Sequence, residues 1–145
     1  MPTWTEHALT TLEREGYRAG SARRTVVELL GRQACCLSAK EITAALRDEG
    51  REVGLASVYR ALELLDQLRL VQRLDAGEGV VRYEPAGHGG DHHHHIVCEG
   101  CGGVATYEDA ELEQAIHRLA ERLSWTVGSH DVVLRGTCPG CTTAN

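Results

Sequence analysis

Two Cys-x-x-Cys pairs constrain this chain more than any other feature. Cys98-Glu99-Gly100-Cys101 and Cys138-Pro139-Gly140-Cys141 are separated by 36 residues. Each pair sets two sulfurs on one side of a tight turn. Two such turns complete a tetrahedral four-thiolate site, the closed arrangement that holds structural Zn²⁺. The competing readings are two disulfides or a redox dithiol. A redox Cys-Pro-Gly-Cys belongs at a helix start inside a βαβ unit, whereas this one follows an expected strand near the end of the sequence. No stretch has signal-peptide or membrane-spanning character, so the chain is expected to be cytoplasmic with no membrane partner. There, six cysteines read as thiolate ligands rather than disulfides.

The first pair is preceded by four histidines, in the run Asp91-His92-His93-His94-His95-Ile96-Val97. The run merges into an apolar segment with strand character. Side chains alternate faces along a strand, so His92 and His94 point one way and His93 and His95 the other. Two histidines at i and i+2 lie about 6–7 Å apart, close enough to share one metal ion. One strand can therefore feed two sites, one per face; the alternative is a solvated polar edge. Further ligands are open among Cys35, Cys36, Glu84, His88, Asp91, Glu108, Glu111, Glu113, His117 and His130.

The remaining pattern describes what surrounds these sites. Helices are expected over Trp4–Glu15, over Ala22–Gly31 with Ser21 as N-cap, from Ser38 to Glu49, and over Gly54–Leu68. Ser38-Ala39-Lys40-Glu41 is a capping box. In the fourth helix Leu55, Val58, Leu62, Leu65 and Leu68 form the expected buried stripe, flanked by Tyr59 and Leu64. Leu70–Asp75 and Val80–Glu84 read as a hairpin. Helices followed by a hairpin give the order of a winged helix, with the fourth helix as recognition helix. Pro85–Gly90 is a proline- and glycine-rich boundary. Beyond it, strands are expected at His92–Cys98, Gly103–Tyr107 and Trp125–Arg135, with a helix from Asp109 to Leu123.

Charge divides the same way. The whole chain carries −6. Residues 1–74 hold 11 basic and 10 acidic side chains (+1), and residues 75–145 hold 4 and 11 (−7). A near-neutral, locally basic half suits phosphate, and an acidic half suits cations. Candidate DNA contacts are Arg18, Arg23, Arg24, Ser57, Tyr59 and Arg60. Of these, Ser57, Tyr59 and Arg60 fall in the first turns of the fourth helix, where base edges are met, and Arg60 can grip guanine in two-pronged fashion.

Gly54-Leu-Ala-Ser-Val-Tyr-Arg-Ala-Leu-Glu-Leu-Leu65, the segment from His92 to Gly102 and the last Cys-x-x-Cys together resemble the Fur family of metal-responsive transcriptional repressors. The resemblance spans Tyr17 to Cys141. It implies an α+β chain with a winged-helix DNA-binding domain (1–84), a hinge (85–91) and an α/β dimerisation and metal-binding domain (92–145) containing the four-cysteine zinc site. It implies a hinge-side regulatory site of Cys36, Glu84, His93 and His95, and a second site of His92, His94, Glu113 and His130. It places Arg18 in a minor groove and Tyr59 and Arg60 on bases. The implied protein is not an enzyme: it is a homodimer that binds a double-stranded DNA operator of metal-uptake genes, with Zn²⁺ or Fe²⁺ as co-repressor. Iron-sensing members typically have His where this chain has Cys36. Zinc-sensing members have Cys near Ala86 or His88 and an acid near Gln72, and peroxide sensors have an acid at Thr106. A Cys/His/His/carboxylate set is softer than the usual iron site and favours Zn²⁺. From other classes, a metal-dependent hydrolase needs an open coordination position and a general base, and a zinc-stabilised interaction module needs no DNA at all.

Overall fold

The computed structural model describes residues 2–18, 20–33, 36–75, 77, 79–86 and 93–143. The chain divides into two compact units, Met1–Gly90 and Asp91–Asn145. The fold is mixed helix and sheet.

The first unit holds α1 (Trp4–Arg14), α2 (Ser21–Arg32), β1 (Leu37–Ser38), α3 (Ala39–Asp48), α4 (Leu55–Gln67), β2 (Val71–Asp75) and β3 (Val81–Pro85). Two capping boxes start its helices. Ser38 Oγ accepts from the Glu41 N–H at 3.1 Å while Glu41 accepts from the Ser38 N–H at 3.0 Å. Thr3 and Glu6 repeat this arrangement ahead of α1. Each satisfies donors that a bare helix start leaves unpaired. The N-cap of α2 is Gly20, not Ser21, and no side chain bonds there.

Apolar faces of α1 to α4 meet over one core, in which Leu12, Val26, Leu30, Ile42, Leu46 and Leu62 are fully buried. The buried stripe of α4 is Val58, Ala61, Leu62, Leu64 and Leu65. Leu55 in the first turn is instead exposed, because the core lies under the middle of the helix. The sheet order is β1-β3-β2, fully antiparallel, with Leu37 opposite Tyr83 and Gln72 opposite Glu84. The short β1 takes in Ser38, expected to open the third helix, and the Leu37 before it. Helices α2 to α4 closed by this hairpin make a winged helix. The Trp4 indole N–H donates to the Leu70 carbonyl at 2.9 Å, tying α1 to the chain just before β2.

The second unit holds β4 (His94–Cys98), β5 (Val104–Tyr107), α5 (Ala110–Leu123), β6 (Val133–Gly136) and α6 (Pro139–Thr143). Its sheet order is β5-β4-β6, with β4 antiparallel to β5 and parallel to β6. Asp109 caps α5 by accepting from the Leu112 N–H at 2.9 Å. The expected strand Trp125–Arg135 is shorter: only its last residues join a ladder. A strand needs a neighbour to satisfy its backbone, and residues 125–132 form no ladder with a described strand. Trp125 and Val127 on that stretch are exposed.

Candidate metal centres and nucleic-acid interface

The four cysteines converge. Cys98 ends β4, Cys101 closes the turn after it, and Cys138 and Cys141 flank the start of α6. Their sulfurs all lie within 4.8 Å of one another, and Cys101 Sγ and Cys138 Sγ are 3.9 Å apart. A tetrahedral zinc with bonds of about 2.3 Å places its sulfurs about 3.8 Å apart, so the set fits the ion. None of these four, nor Cys36, is in a disulfide. The β4–β5 turn is shaped for the cluster. Gly102 takes a φ of +74°, and a Cβ at Gly100 would sit 3.2 Å from Cys141 Sγ.

Backbone donors prepare the sulfurs for a cation. The Cys138 N–H donates to Cys98 Sγ at 3.3 Å and the Cys101 N–H donates to it at 3.5 Å. These two bonds, in that order of importance, lower the Cys98 thiol from 9.0 to about 6. Cys141 moves the other way, to about 12, because it shares its proton with the sulfurs of Cys138, Cys98 and Cys101. One thiolate is thus present at neutral pH, and one thiol holds its proton until a cation displaces it.

A second cluster surrounds Glu113 on α5. His94 Nε2 lies 2.5 Å from Glu113 Oε1, and His130 Nε2 lies 2.7 Å from Glu113 Oε2. The three ligand atoms fall within the same 4.8 Å limit. The His94 ring is buried, tilted 5.3 Å from the His130 ring and 5.7 Å from the Tyr107 ring. The Val132 N–H donates to His94 Nδ1 at 3.2 Å. A neutral ring then carries its proton at Nε2 and donates it to Glu113. The carboxylate and the two ring nitrogens converge closely enough to share one ion. His92, assigned to this set from the sequence, lies outside the described residues, as do Cys35, His88 and Asp91. Tyr107 and the Val132 backbone were not anticipated. Tyr107 was legible as the cross-strand partner of His94, but a backbone donor leaves no signature in sequence.

His93 and His95, on the opposite side of β4 from His94, bring their ring centroids to 5.1 Å. Cys36, just before β1, and Glu84, on β3 opposite Gln72, belong to the first unit.

On the winged helix, the first turns of α4 face outward. Tyr59 is 48% exposed, and the Arg60 guanidinium donates to Ser57 Oγ at 3.1 Å, which draws it towards the helix start. Arg18 is exposed in the α1–α2 link. Arg23 is engaged locally: it donates to the Arg18 carbonyl at 3.0 Å, with its guanidinium 5.7 Å from the Tyr17 ring. Arg24 forms a surface pair with Glu28.

A winged helix with an outward reading helix, followed by a thiolate- and imidazole-rich α/β unit, defines a class of metal-binding, DNA-binding transcription regulators. The chain belongs to the ferric uptake regulator family, whose sequence profile matches residues 14–135. It is 36% identical over 118 residues to the ferric uptake regulation protein of Bacillus subtilis, covering 81% of this chain and 79% of that one. Its structure is similar to the Vibrio cholerae ferric uptake regulator at a TM-score of 0.78, with 32% identity over 90% of this chain and 98% of that one. The Helicobacter pylori regulator, described as having three functional metal-binding sites, gives a TM-score of 0.82 with 28% identity, covering 98% of this chain and 97% of that one. Regulators of this family are metal-dependent transcriptional repressors that bind DNA and act as dimers.

Proposed function

We propose that this chain is a homodimeric cytoplasmic repressor of metal-uptake genes, with Zn²⁺ as its preferred co-repressor and Fe²⁺ as the alternative. The observation that carries the reading is that one chain joins an outward-facing Tyr59–Arg60 reading helix to a unit rich in metal donors. The three functional metal sites of the H. pylori regulator support a division into three sites here.

In this reading Cys98, Cys101, Cys138 and Cys141 hold structural zinc. A bound ion there supplies a crosslink between the β4–β5 turn and α6. Cys36, Glu84, His93 and His95 form the regulatory site, with ligands from both sides of the 85–91 hinge. Occupancy favours whichever arrangement of the winged helices brings those ligands together. The presence of a thiolate and two imidazoles favours zinc. His92, His94, Glu113 and His130 form a second site in the dimerisation domain, supported by the convergence of His94, Glu113 and His130. Arg18 enters a minor groove, Ser57, Tyr59 and Arg60 meet the major groove, and Arg23 supports Arg18 through its carbonyl.

The apolar stripe of α5 supports the dimer. This amphipathic helix buries none of its residues, and Leu119 and Leu123 stand 45% and 58% exposed. Ile96 and Leu134, paired across β4 and β6, are exposed as well. Exposed apolar side chains of this kind suit an association face.

Two variants separate the roles. His93→Ala is expected to keep wild-type folding and cysteine-bound zinc while losing at least about tenfold of its metal-dependent DNA affinity, a typical coupling for an allosteric ligand. Cys138→Ser is expected to lose zinc and unfold at lower temperature. If both variants fold, retain zinc and respond to metal as wild type does, the assignments fail.

A further inference from the structure

Beside the reading helix lies a groove of about 420 Å³. Tyr83 of β3 and Ser38 at the start of α3 line it, Tyr59 of α4 forms one wall, and Val80 at the return of the wing forms the other. Two cations border it: Lys40 in the first turn of α3 and Arg73 on β2.

We propose that this groove holds a backbone phosphate of the bound DNA, gripped by Lys40 and Arg73. The inference rests on the DNA-binding reading above and extends it to a contact outside the base-reading set. Three observations carry it. Tyr59 belongs both to the exposed face of α4 and to the groove, so a duplex read by α4 brings its flanking strand here. A backbone strand beside a reading helix passes between that helix and the wing, where phosphate contacts fix register without reading sequence. Next, both cations are available. Lys40 is exposed and makes no ion pair with a described residue. Arg73 is half exposed, and its acid partner Asp66 is 3.9 Å away. So loose a surface pair contributes little, and the guanidinium can turn to a phosphate at small cost. Last, Lys40 is the only lysine in the sequence. A chain with net charge −6 that binds polyanion depends on where its cations stand. An ammonium suits one phosphate as a point charge, and a guanidinium adds a fork.

The single lysine makes the test direct. With zinc-loaded full-length protein and a random-sequence DNA duplex, Lys40 is labelled with an amine reagent and read by peptide mapping. DNA is expected to protect it, and inorganic phosphate at the same phosphate concentration is not. In parallel, the slope of log affinity against log salt is compared between variants. Each phosphate contact contributes about 0.9 to that slope. Lys40→Gln and Arg73→Gln are each expected to flatten it by about one unit and to weaken random and selected duplexes by the same factor. Lys40→Arg is expected to restore the wild-type slope. Unchanged slopes in both glutamine variants, or protection by inorganic phosphate alone, overturn the groove assignment while leaving the repressor reading intact. A wild-type protein that binds no duplex at any metal level overturns the repressor reading itself, before any variant is compared.

Discussion

Cys98 shows how backbone geometry sets the chemistry of one side chain. Two N–H groups aimed at its sulfur hold its pKa at about 6, below the ordinary 9.0. A depressed pKa means the folded site favours the thiolate, an advantage present above the ordinary value and lost as pH falls through about 6. Metal needs the thiolate. Protons and zinc compete for this sulfur, and a bound ion holds the thiolate to lower pH than the free site does. Zinc is therefore expected to stay bound at pH 7 and to leave only below about 6, followed with a chromophoric chelator; release already at neutral pH would contradict the role given to Cys98. The cysteine spacing made the four ligands legible in sequence, but the two N–H donors are not, because they depend on the fold around the knuckles. The capping residues show the same contrast. Ser38–Glu41 stands in the sequence as S-x-x-E, and Thr3–Glu6 carries an equivalent signal that hydrophobic periodicity alone passes over.

Among the elements, helices were more legible than strands. A helix satisfies its own backbone, so caps and a periodic apolar stripe nearly define it. A strand depends on a neighbour that local sequence does not show. With one glycine and no proline, Trp125–Arg135 reads as one strand, yet only Val133–Gly136 joins a ladder with β4. In α4 the periodic stripe was right in phase and wrong at its first residue, since Leu55 projects past the core while Leu68 packs against it. The helix α5 was legible as Asp109–Leu123, but the apolar side chains it leaves exposed, Leu119 and Leu123, formed no part of that reading. Leu123→Glu is expected to weaken the dimer by about tenfold or more, given roughly 1.5–3 kcal/mol for burying a leucine and 1.4 kcal/mol per decade. Sedimentation velocity over a concentration series checks this; an unchanged dimer constant would remove α5 from the interface.

At the scale of the whole molecule, charge asymmetry and a glycine-rich boundary divide the sequence into two stretches. The structure holds two compact units, Met1–Gly90 and Asp91–Asn145. The family was legible because ligand spacing and helix order are both local patterns that survive substitution. In the proposed regulatory site, the sensed metal is set by the ligand types of Cys36, Glu84, His93 and His95. Metal then controls DNA affinity through the occupancy of that proposed site. The most direct measurement is the affinity of purified protein, its cysteine site filled, for a selected genomic duplex at fixed salt while zinc is titrated. The account predicts affinity rising at least about tenfold as the next equivalent of zinc binds. Equal affinity with the cysteine site alone and with every site filled would contradict it.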